Sequence, residues 1–502
     1  MKKRIIALSI MFFFILLPFV YINVVSHKSL YNPTKLDQSN TISEFIDQLD
    51  LKWDKLLKTY SVPGAAISII ANGSTTTLVG GKANYWKNDP LQQEDYFQIA
   101  SISKTQCAFA IMKLLQDGLI DLDVPVSTYL TRWSLPENGF DNNNVTIRRI
   151  LSHTAGLSVS SVPYQLKLDT LPSIEEALTE ADVKVIVEPG SFFIYSGGGY
   201  GILQLIIEEV SGLPYQDYMR NEIFQPLDLN NTFAGWDTEI GDNLVKGHGN
   251  LLFHTIQNFS PFKAAAGHYS TIDDLTDWCE LFLDGQTVLN ETIFNLMLTP
   301  QFGSDWGYAL GLNWKKLENG LVTIGHSGAN WGYHSTFRFL NETGDGIAIL
   351  TNGDRGAKLI SLLLYEWERI LGGTDYNDFY IEEQNRSLTI DIVLAIVSLI
   401  LIVLLILGNR FSIISFAFQD KPSSYVSKNP KIVKSLRWIF SILFSLLSIF
   451  LLFIFGLFYN SMSFKPTNFI WTILLILEWS FWIIPASHLL SFNFKRTKME
   501  ST

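Results

Sequence analysis

Phe97-Gln98-Ile99-Ala100-Ser101-Ile102-Ser103-Lys104-Thr105 opens a segment that reads as helix from about Ser101 to Asp117, with Gly118 as its C-cap. Residues three apart share a helix face, so Lys104 stands one turn above Ser101. The same face continues through Cys107, Ala108, Ile111, Leu114 and Leu115, which puts the pair on an inward, apolar stripe. A buried lysine loses solvation, its pKa falls, and it becomes able to take a proton from a serine hydroxyl. Negative charge growing on Ser101, at the start of the helix, would also meet the positive end of the helix dipole. Ser-x-x-Lys alone turns up by chance about once or twice in a chain of this size. Its meaning therefore depends on the flanking sequence.

Outward from this segment, the β-prone stretches Ala65–Ile70 and Ser74–Val79 flank Asn72-Gly73, a hairpin-turn signal. A second apolar helix covers roughly Tyr200–Val210 and stops at Ser211-Gly212, and Val322–Ile324, Ser335–Phe339 and Gly346–Leu350 read as strands. Strands at both ends with helices between them predict a mixed α/β fold, one sheet assembled from distant segments. The 502 residues, 47% hydrophobic and 17% charged, exclude a disordered polymer. Two cysteines exclude a disulfide-stapled miniprotein or a thiolate metal cluster. Cys107 and Cys279 read as core thiols, with a disulfide left open. No His, Asp, Glu or Cys set has metal-ligand spacing, so no metal and no cofactor is expected.

The net charge of −11 argues against a nucleic-acid partner, but it is unevenly spread. Residues 1–25 carry +3, residues 26–388 carry 24 basic against 44 acidic side chains, and residues 389–502 carry +6. The N-terminus is Met-Lys-Lys-Arg followed by an apolar run to about Val25, a signal peptide or an N-terminal membrane anchor. Its length and the lack of an Ala-x-Ala site favour the anchor. Three further apolar stretches, 388–407, 439–458 and 469–490, each match the length that spans a bilayer. Arg410, Lys421, Lys428, Lys431 and Lys434 between the first two, and Lys495, Arg496 and Lys498 at the C-terminus, mark those segments as cytoplasmic. Residues 26–387 are then an extracytoplasmic domain of a multi-pass cell-membrane protein, with the lipid bilayer as a partner. Glu478, in the last span, reads as a contact within the helix bundle, with a proton or substrate path as the alternative.

With Ser101 and Lys104 in this setting, Phe97–Thr105 resembles the nucleophile motif of the serine β-lactamase/penicillin-binding-protein superfamily. The likeness is to its class-C-like branch of esterases, D-amino-acid peptidases and cell-wall hydrolases. Val62-Pro63-Gly64-Ala65-Ala66 resembles that branch's first core strand. Gly118–Val126 and Ile150-Leu151-Ser152-His153-Thr154-Ala155-Gly156-Leu157 are similar to its typical segments. The family's Tyr-x-Asn motif falls at Tyr195-Ser196-Gly197, and its Lys-Thr-Gly or His-x-Gly motif at His326-Ser327-Gly328. The resemblance covers about residues 45–370. It implies a β-lactamase/transpeptidase-like fold, an antiparallel sheet flanked by helices plus a mainly helical subdomain, here followed by a three-helix transmembrane region.

The resemblance further implies that Ser101 forms an acyl-enzyme and that Lys104 and Tyr195 share the base role, Tyr195 as a phenolate lowered by nearby cations. The backbone N–H groups of Ser101 and Ala329 would form the oxyanion hole, and His326 would stand at the strand edge, bonding Tyr195 or a substrate carboxylate. His153 is expected to be a packed, hydrogen-bonded histidine, and His268 is assigned no role. Gly197 replaces the family's asparagine, removing an amide that holds the substrate, and His326 replaces a lysine charge. Both departures favour esterase or carboxypeptidase chemistry on D-alanyl peptides or esters of the cell wall, with a β-lactamase as the alternative. A non-catalytic receptor for wall fragments or β-lactams is the reading from another class, disfavoured by intact Ser101, Lys104 and Tyr195.

Overall fold

The Asn72-Gly73 turn, with both residues at positive φ (51° and 71°), joins the first two strands of a nine-stranded antiparallel sheet. That conformation at both central residues belongs to the tight turn that matches the twist of a hairpin. The computed structural model of the chain describes residues 36, 39–160, 168–249, 255–256, 259–285 and 288–372. The N-terminal segment 1–25, the three apolar stretches 388–407, 439–458 and 469–490, and Glu478 lie outside the described residues. Among the described residues no helix is long and apolar enough to cross a membrane.

In chain order the strands are β1 (Gly64–Ala71), β2 (Ser74–Asn84), β3 (Asp89–Pro90), β4 (Phe302–Gly303), β5 (Trp306–Tyr308), β6 (Asn313–Lys316), β7 (Val322–Asn330), β8 (Tyr333–Leu340) and β9 (Asp345–Thr351). Their order in the sheet is β3-β2-β1-β9-β8-β7-β6-β5-β4. The first strand thus lies beside the last, with Ala65 opposite Thr351 and Ile70 opposite Gly346. Every residue of β1 and of β9 is buried, as expected of central strands covered on both faces. The three strand stretches predicted near the end of the domain fall within β7, β8 and β9.

One face of the sheet is covered by helices α1 (Ile42–Tyr60) and α6 (Gly356–Gly372). Phe45, Leu49, Trp53, Leu56 and Tyr60 recur at helical spacing along α1 and are all buried. Thr41 caps this helix by accepting from the Glu44 N–H. The other face meets a mainly helical region built around α2 (Ser103–Gln116), α3 (Gly197–Ser211), the short α4 (Lys263–Ala266) and α5 (Ile272–Asp284). The Phe282 ring of α5 stacks on Phe339 of β8, with centroids 5.0 Å apart.

Helix α2 differs from the one-sided stripe expected of it. Every residue from Ser103 to Met112 is buried, so the helix runs through the core and has no solvent face until its last turn. Trp278 of α5 locks against it. Its ring lies edge-on to Phe109 and Phe282, each 5.4 Å away, and its indole N–H donates to Thr105 Oγ1 at 3.2 Å. Cys107 and Cys279 are both buried free thiols, which closes the disulfide question for the pair.

Removing the Trp278 ring empties the seam between α2 and α5. Trp278→Ala is expected to destabilise the domain by about 3–5 kcal/mol, and Trp278→Phe by less. Calorimetric unfolding checks this, and a Tm within about 1 °C of the parent would contradict it.

Candidate active site

Ser101 sits in a single 3-10 turn, Ala100–Ile102, that leads directly into α2. The turn is held on several sides. Ile99 N–H donates to the His268 carbonyl (3.1 Å), Ser103 Oγ to the Ala100 carbonyl (2.6 Å), and Ser335 Oγ to the Ile99 carbonyl (2.8 Å). Ala100 has a φ of +48°, in the left-handed region that side chains other than glycine rarely adopt. Such strain beside a partly exposed serine marks a nucleophile presented by its scaffold.

Strand β7 supplies the opposing wall. Its pairing with β6 ends at Gly325, so residues 326–330 are bonded to β8 on one side and free to meet the Ser101 turn on the other. Gly328 makes that approach possible. A Cβ there would lie 2.2 Å from the Ile99 carbonyl oxygen and 2.3 Å from Ser335 Oγ. Asn330 closes the far end of the seam, donating to Gln98 Oε1 (2.9 Å) and the Ala266 carbonyl (3.0 Å). The Ala329 backbone, the expected second oxyanion donor, therefore belongs to the strand segment seated against Ser101.

Lys104 is 2% exposed. Its Nζ donates to the Ala265 carbonyl at 2.6 Å and lies 3.1 Å from Ser101 Oγ. It also lies 4.8 Å from the Tyr195 ring centroid and 5.6 Å from that of Tyr200. Loss of solvation lowers its pKa from 10.5 to about 7, so a substantial fraction is an uncharged amine at neutral pH. With an N–H directed to Ala265, the lone pair is available to the Ser101 proton.

Tyr195 joins this group through its contact with Ser101. The ring is partly exposed, but its phenol end is enclosed, and that burial pushes its pKa up. The expected phenolate is corrected accordingly: with Lys104 itself partly neutral, desolvation outweighs any nearby cation, and Tyr195 carries its proton. His153 holds the segment around it. The His153 carbonyl accepts from Ile194 N–H (2.8 Å), its Nδ1 accepts from Ser196 N–H (3.1 Å), and its ring lies 4.2 Å from that of Tyr195. The expectation of a packed histidine is met, at a position that fixes Tyr195.

His326 is where the expectation fails in detail. Its Nε2 meets Tyr308 Oη at 2.7 Å and its Nδ1 the Ser327 carbonyl at 2.7 Å, whereas its ring is 6.4 Å from that of Tyr195. The carbonyl can only accept, so Nδ1 carries the proton and Nε2 accepts from Tyr308. Burial and the nearby Lys104 lower the His326 pKa to about 3, so the ring offers no charge to a substrate carboxylate. Ser327 Oγ is paired with Thr336 Oγ1 across the strands (2.9 Å), and Gly197 begins α3 with its N–H on the Val159 carbonyl (2.9 Å). His268, given no role from the sequence, braces the nucleophile turn. Its N–H donates to Ser103 Oγ, and its ring bonds Gln106 and Tyr215. Tyr308 and the Ala265 carbonyl were not foreseen. A strand-like Trp306-Gly307-Tyr308 was the available signal for the first, and a backbone acceptor leaves no signal for the second. No group of three or more metal-ligating side chains occurs among the described residues.

A partly exposed serine, a dry lysine one turn away, an enclosed tyrosine and an apposed strand define an acyl-transfer site of the serine-hydrolase type. The chain belongs to the Beta-lactamase family, whose model matches residues 49–365. It is thereby a member of the serine hydrolase superfamily that joins β-lactamases and penicillin-binding proteins. It is 27% identical over 327 residues to penicillin-binding protein 4 of Amycolatopsis lactamdurans, covering 60% of this chain and 84% of that relative. It is 26% identical to the putative penicillin-binding protein PbpX of Bacillus subtilis, covering 61% and 75%. Among solved structures it is similar to the octameric penicillin-binding protein homologue from Pyrococcus abyssi (TM-score 0.54, 25% identity, 64% of this chain and 77% of that one). It is also similar to a D-stereospecific amidohydrolase from Streptomyces sp. (TM-score 0.52, 25% identity, 62% and 95%).

Acylation of Ser101 by a serine-directed probe should follow the unprotonated fraction of Lys104. The second-order labelling rate is expected to fall about tenfold per unit below pH 7 and to level off above it. His326 does not contribute to that limb, because burial lowers its pKa to about 3. A rate flat from pH 5 to 9 would exclude Lys104 as the base. Gly328→Ala forces β7 away from Ser101 and is expected to lower the labelling rate at least about 100-fold, a loss read by the same assay.

Proposed function

We propose that the chain is a membrane-anchored serine hydrolase, its catalytic domain extracytoplasmic, acting through an acyl-enzyme on D-alanyl peptides or esters of the cell envelope. The 3.1 Å approach of the Lys104 amine to Ser101 Oγ carries the catalytic part of this reading. The basic residues flanking the apolar run of residues 1–25 and the apolar stretches 388–407, 439–458 and 469–490 support the location. The likeness to penicillin-binding proteins and to a D-stereospecific amidohydrolase supports the substrate class.

In this mechanism Ser101 Oγ attacks the donor carbonyl and passes its proton to Lys104 Nζ. The tetrahedral oxyanion forms between the N–H groups of Ser101 and Ala329, each such donor lowering the barrier by roughly 3–4 kcal/mol. As the bond to the leaving group breaks, the Tyr195 phenol protonates that group and recovers a proton from Lys104. The result is an ester on Ser101 and a neutral lysine. Water then repeats the sequence as nucleophile, releasing the acid and restoring the Ser101 hydroxyl. Gly197 and the uncharged His326 disfavour penicillin as a rapidly hydrolysed substrate, since neither supplies the amide or the charge it would meet.

A membrane-impermeant serine probe added to intact cells is expected to label the full-length protein, and Ser101→Ala to abolish the adduct. Mass spectrometry should find the Ser101 acyl-enzyme with a D-alanyl ester or a D-alanyl-D-alanine peptide, and turnover faster than with penicillin. No adduct, or one that survives Ser101→Ala, would overturn the enzyme in favour of a receptor. Labelling only after lysis would overturn the external location, and efficient penicillin hydrolysis would favour the β-lactamase.

A further inference from the structure

The β4–β5 hairpin carries two large aromatic side chains into solvent: Phe302, 38% exposed, and Trp306, 53% exposed. They are not isolated. Phe302 stacks on Phe193 at 5.2 Å, and Trp306 lies edge-on to Phe193 at 5.8 Å. Phe193 is 5.8 Å from Tyr308 and stands two residues before Tyr195. Tyr308 in turn bonds His326 and lies 4.7 Å from the ring of His153, which is 4.2 Å from that of Tyr195, so rings lead from the solvent edge to the catalytic group. The hairpin is tightly closed. Gly303 has φ +95°, and a Cβ on it would lie 1.9 Å from the Trp306 carbonyl oxygen, so the two exposed rings ride on a short, fixed turn.

Exposed rings contiguous with a catalytic site are recognition surface more often than accident. The side they serve follows from where Tyr195 stands. In the proposed mechanism Tyr195 hands its proton to the departing group, and the wall adjoins Tyr195 directly: Phe193 stands two residues before it, and the His153 ring bridges Tyr308 (4.7 Å) and Tyr195 (4.2 Å). A free carboxylate on the leaving group would meet an uncharged imidazole whose two nitrogens are already bonded to Tyr308 and Ser327.

Resting on the proposed acyl-enzyme reading, we propose that Phe193, Phe302 and Trp306 form a leaving-group wall. It selects donors whose departing alcohol or amine is uncharged and apolar, over donors that release a carboxylate-bearing amino acid. Within the D-alanyl class this favours esters and amides with aromatic or alkyl leaving groups, the indole and phenyl faces packing against them.

Steady-state hydrolysis of four donors by the full-length protein tests this: D-alanine methyl ester, D-alanine benzyl ester, D-alanyl-D-alanine and D-alanyl-D-alanine amide. The benzyl-to-methyl ratio of kcat/KM is expected to be about tenfold or more, and the amide to be preferred over the free acid. Trp306→Ala and Phe302→Ala should each bring the benzyl-to-methyl ratio towards one. Trp86→Ala, which removes an exposed indole of the β2–β3 turn, should leave that ratio as it was. An unchanged ratio in both wall variants, or preference for the free acid, would overturn the wall. Ser101 labelling separates the two levels. If wild-type protein is not labelled, the acyl-enzyme itself fails, whereas labelling with an unmoved ratio rejects the wall alone.

Discussion

The constraint on which the structure turns is the drying of one amine. Lowering Lys104 from 10.5 to about 7 corresponds to a penalty on the order of 5 kcal/mol against its charged form. No single neighbour imposes it. Tyr200 from α3, Ala265 from α4 and Tyr195 from the loop before α3 enclose the side chain together. Helix α2 is buried along its first ten residues, so it offers no solvent-facing turn beside Nζ through which water could restore the charge. The helical half of the domain serves as the insulating jacket of the base.

The sheet answers a different need, which is placement. Ser101 is useful only if a second backbone segment lies close enough to share a developing oxyanion. Strand β7 meets the Ile99–Ser101 turn across a gap that Gly328 keeps open and that Ser335 and Asn330 bridge by hydrogen bonds. Ala100 is held in a left-handed conformation at that seam. Such a conformation is unfavourable by about 1–3 kcal/mol on its own, so the surrounding bonds must impose it. The neighbouring β1 and β9, buried on both faces, tie the two ends of the domain into one rigid reference for these contacts.

How much of this could be read beforehand depended on where the chemistry resides. The Ser101–Lys104 relation was legible because three-residue spacing on a helix fixes a distance, and the hairpin was legible because Asn72-Gly73 encodes a backbone conformation. Three-dimensional partners were not. Nothing in Ala264-Ala265-Ala266 signals that a carbonyl there receives the lysine, since any residue has that carbonyl. His326 was expected to bond Tyr195 or a substrate carboxylate, yet its partner is decided by Tyr308, eighteen residues earlier in another strand, and its charge by burial beside Lys104. The protonation of Tyr195 was misjudged for the same reason: the sequence suggests neighbours, while the balance between desolvation and charge needs the enclosure itself.

The two cysteines have a bearing on how such a domain is made. Cys107 lies within α2, and Cys279 on α5 donates to the Arg338 carbonyl at 3.4 Å. Burial raises both thiols well above their ordinary range, so neither presents an appreciable thiolate once the chain has folded. Thiol–disulfide exchange proceeds through the thiolate and needs access to it. The folded core is thus redox-silent: in an oxidising compartment it needs no oxidase or isomerase to mature, and reductants should leave its tertiary structure intact.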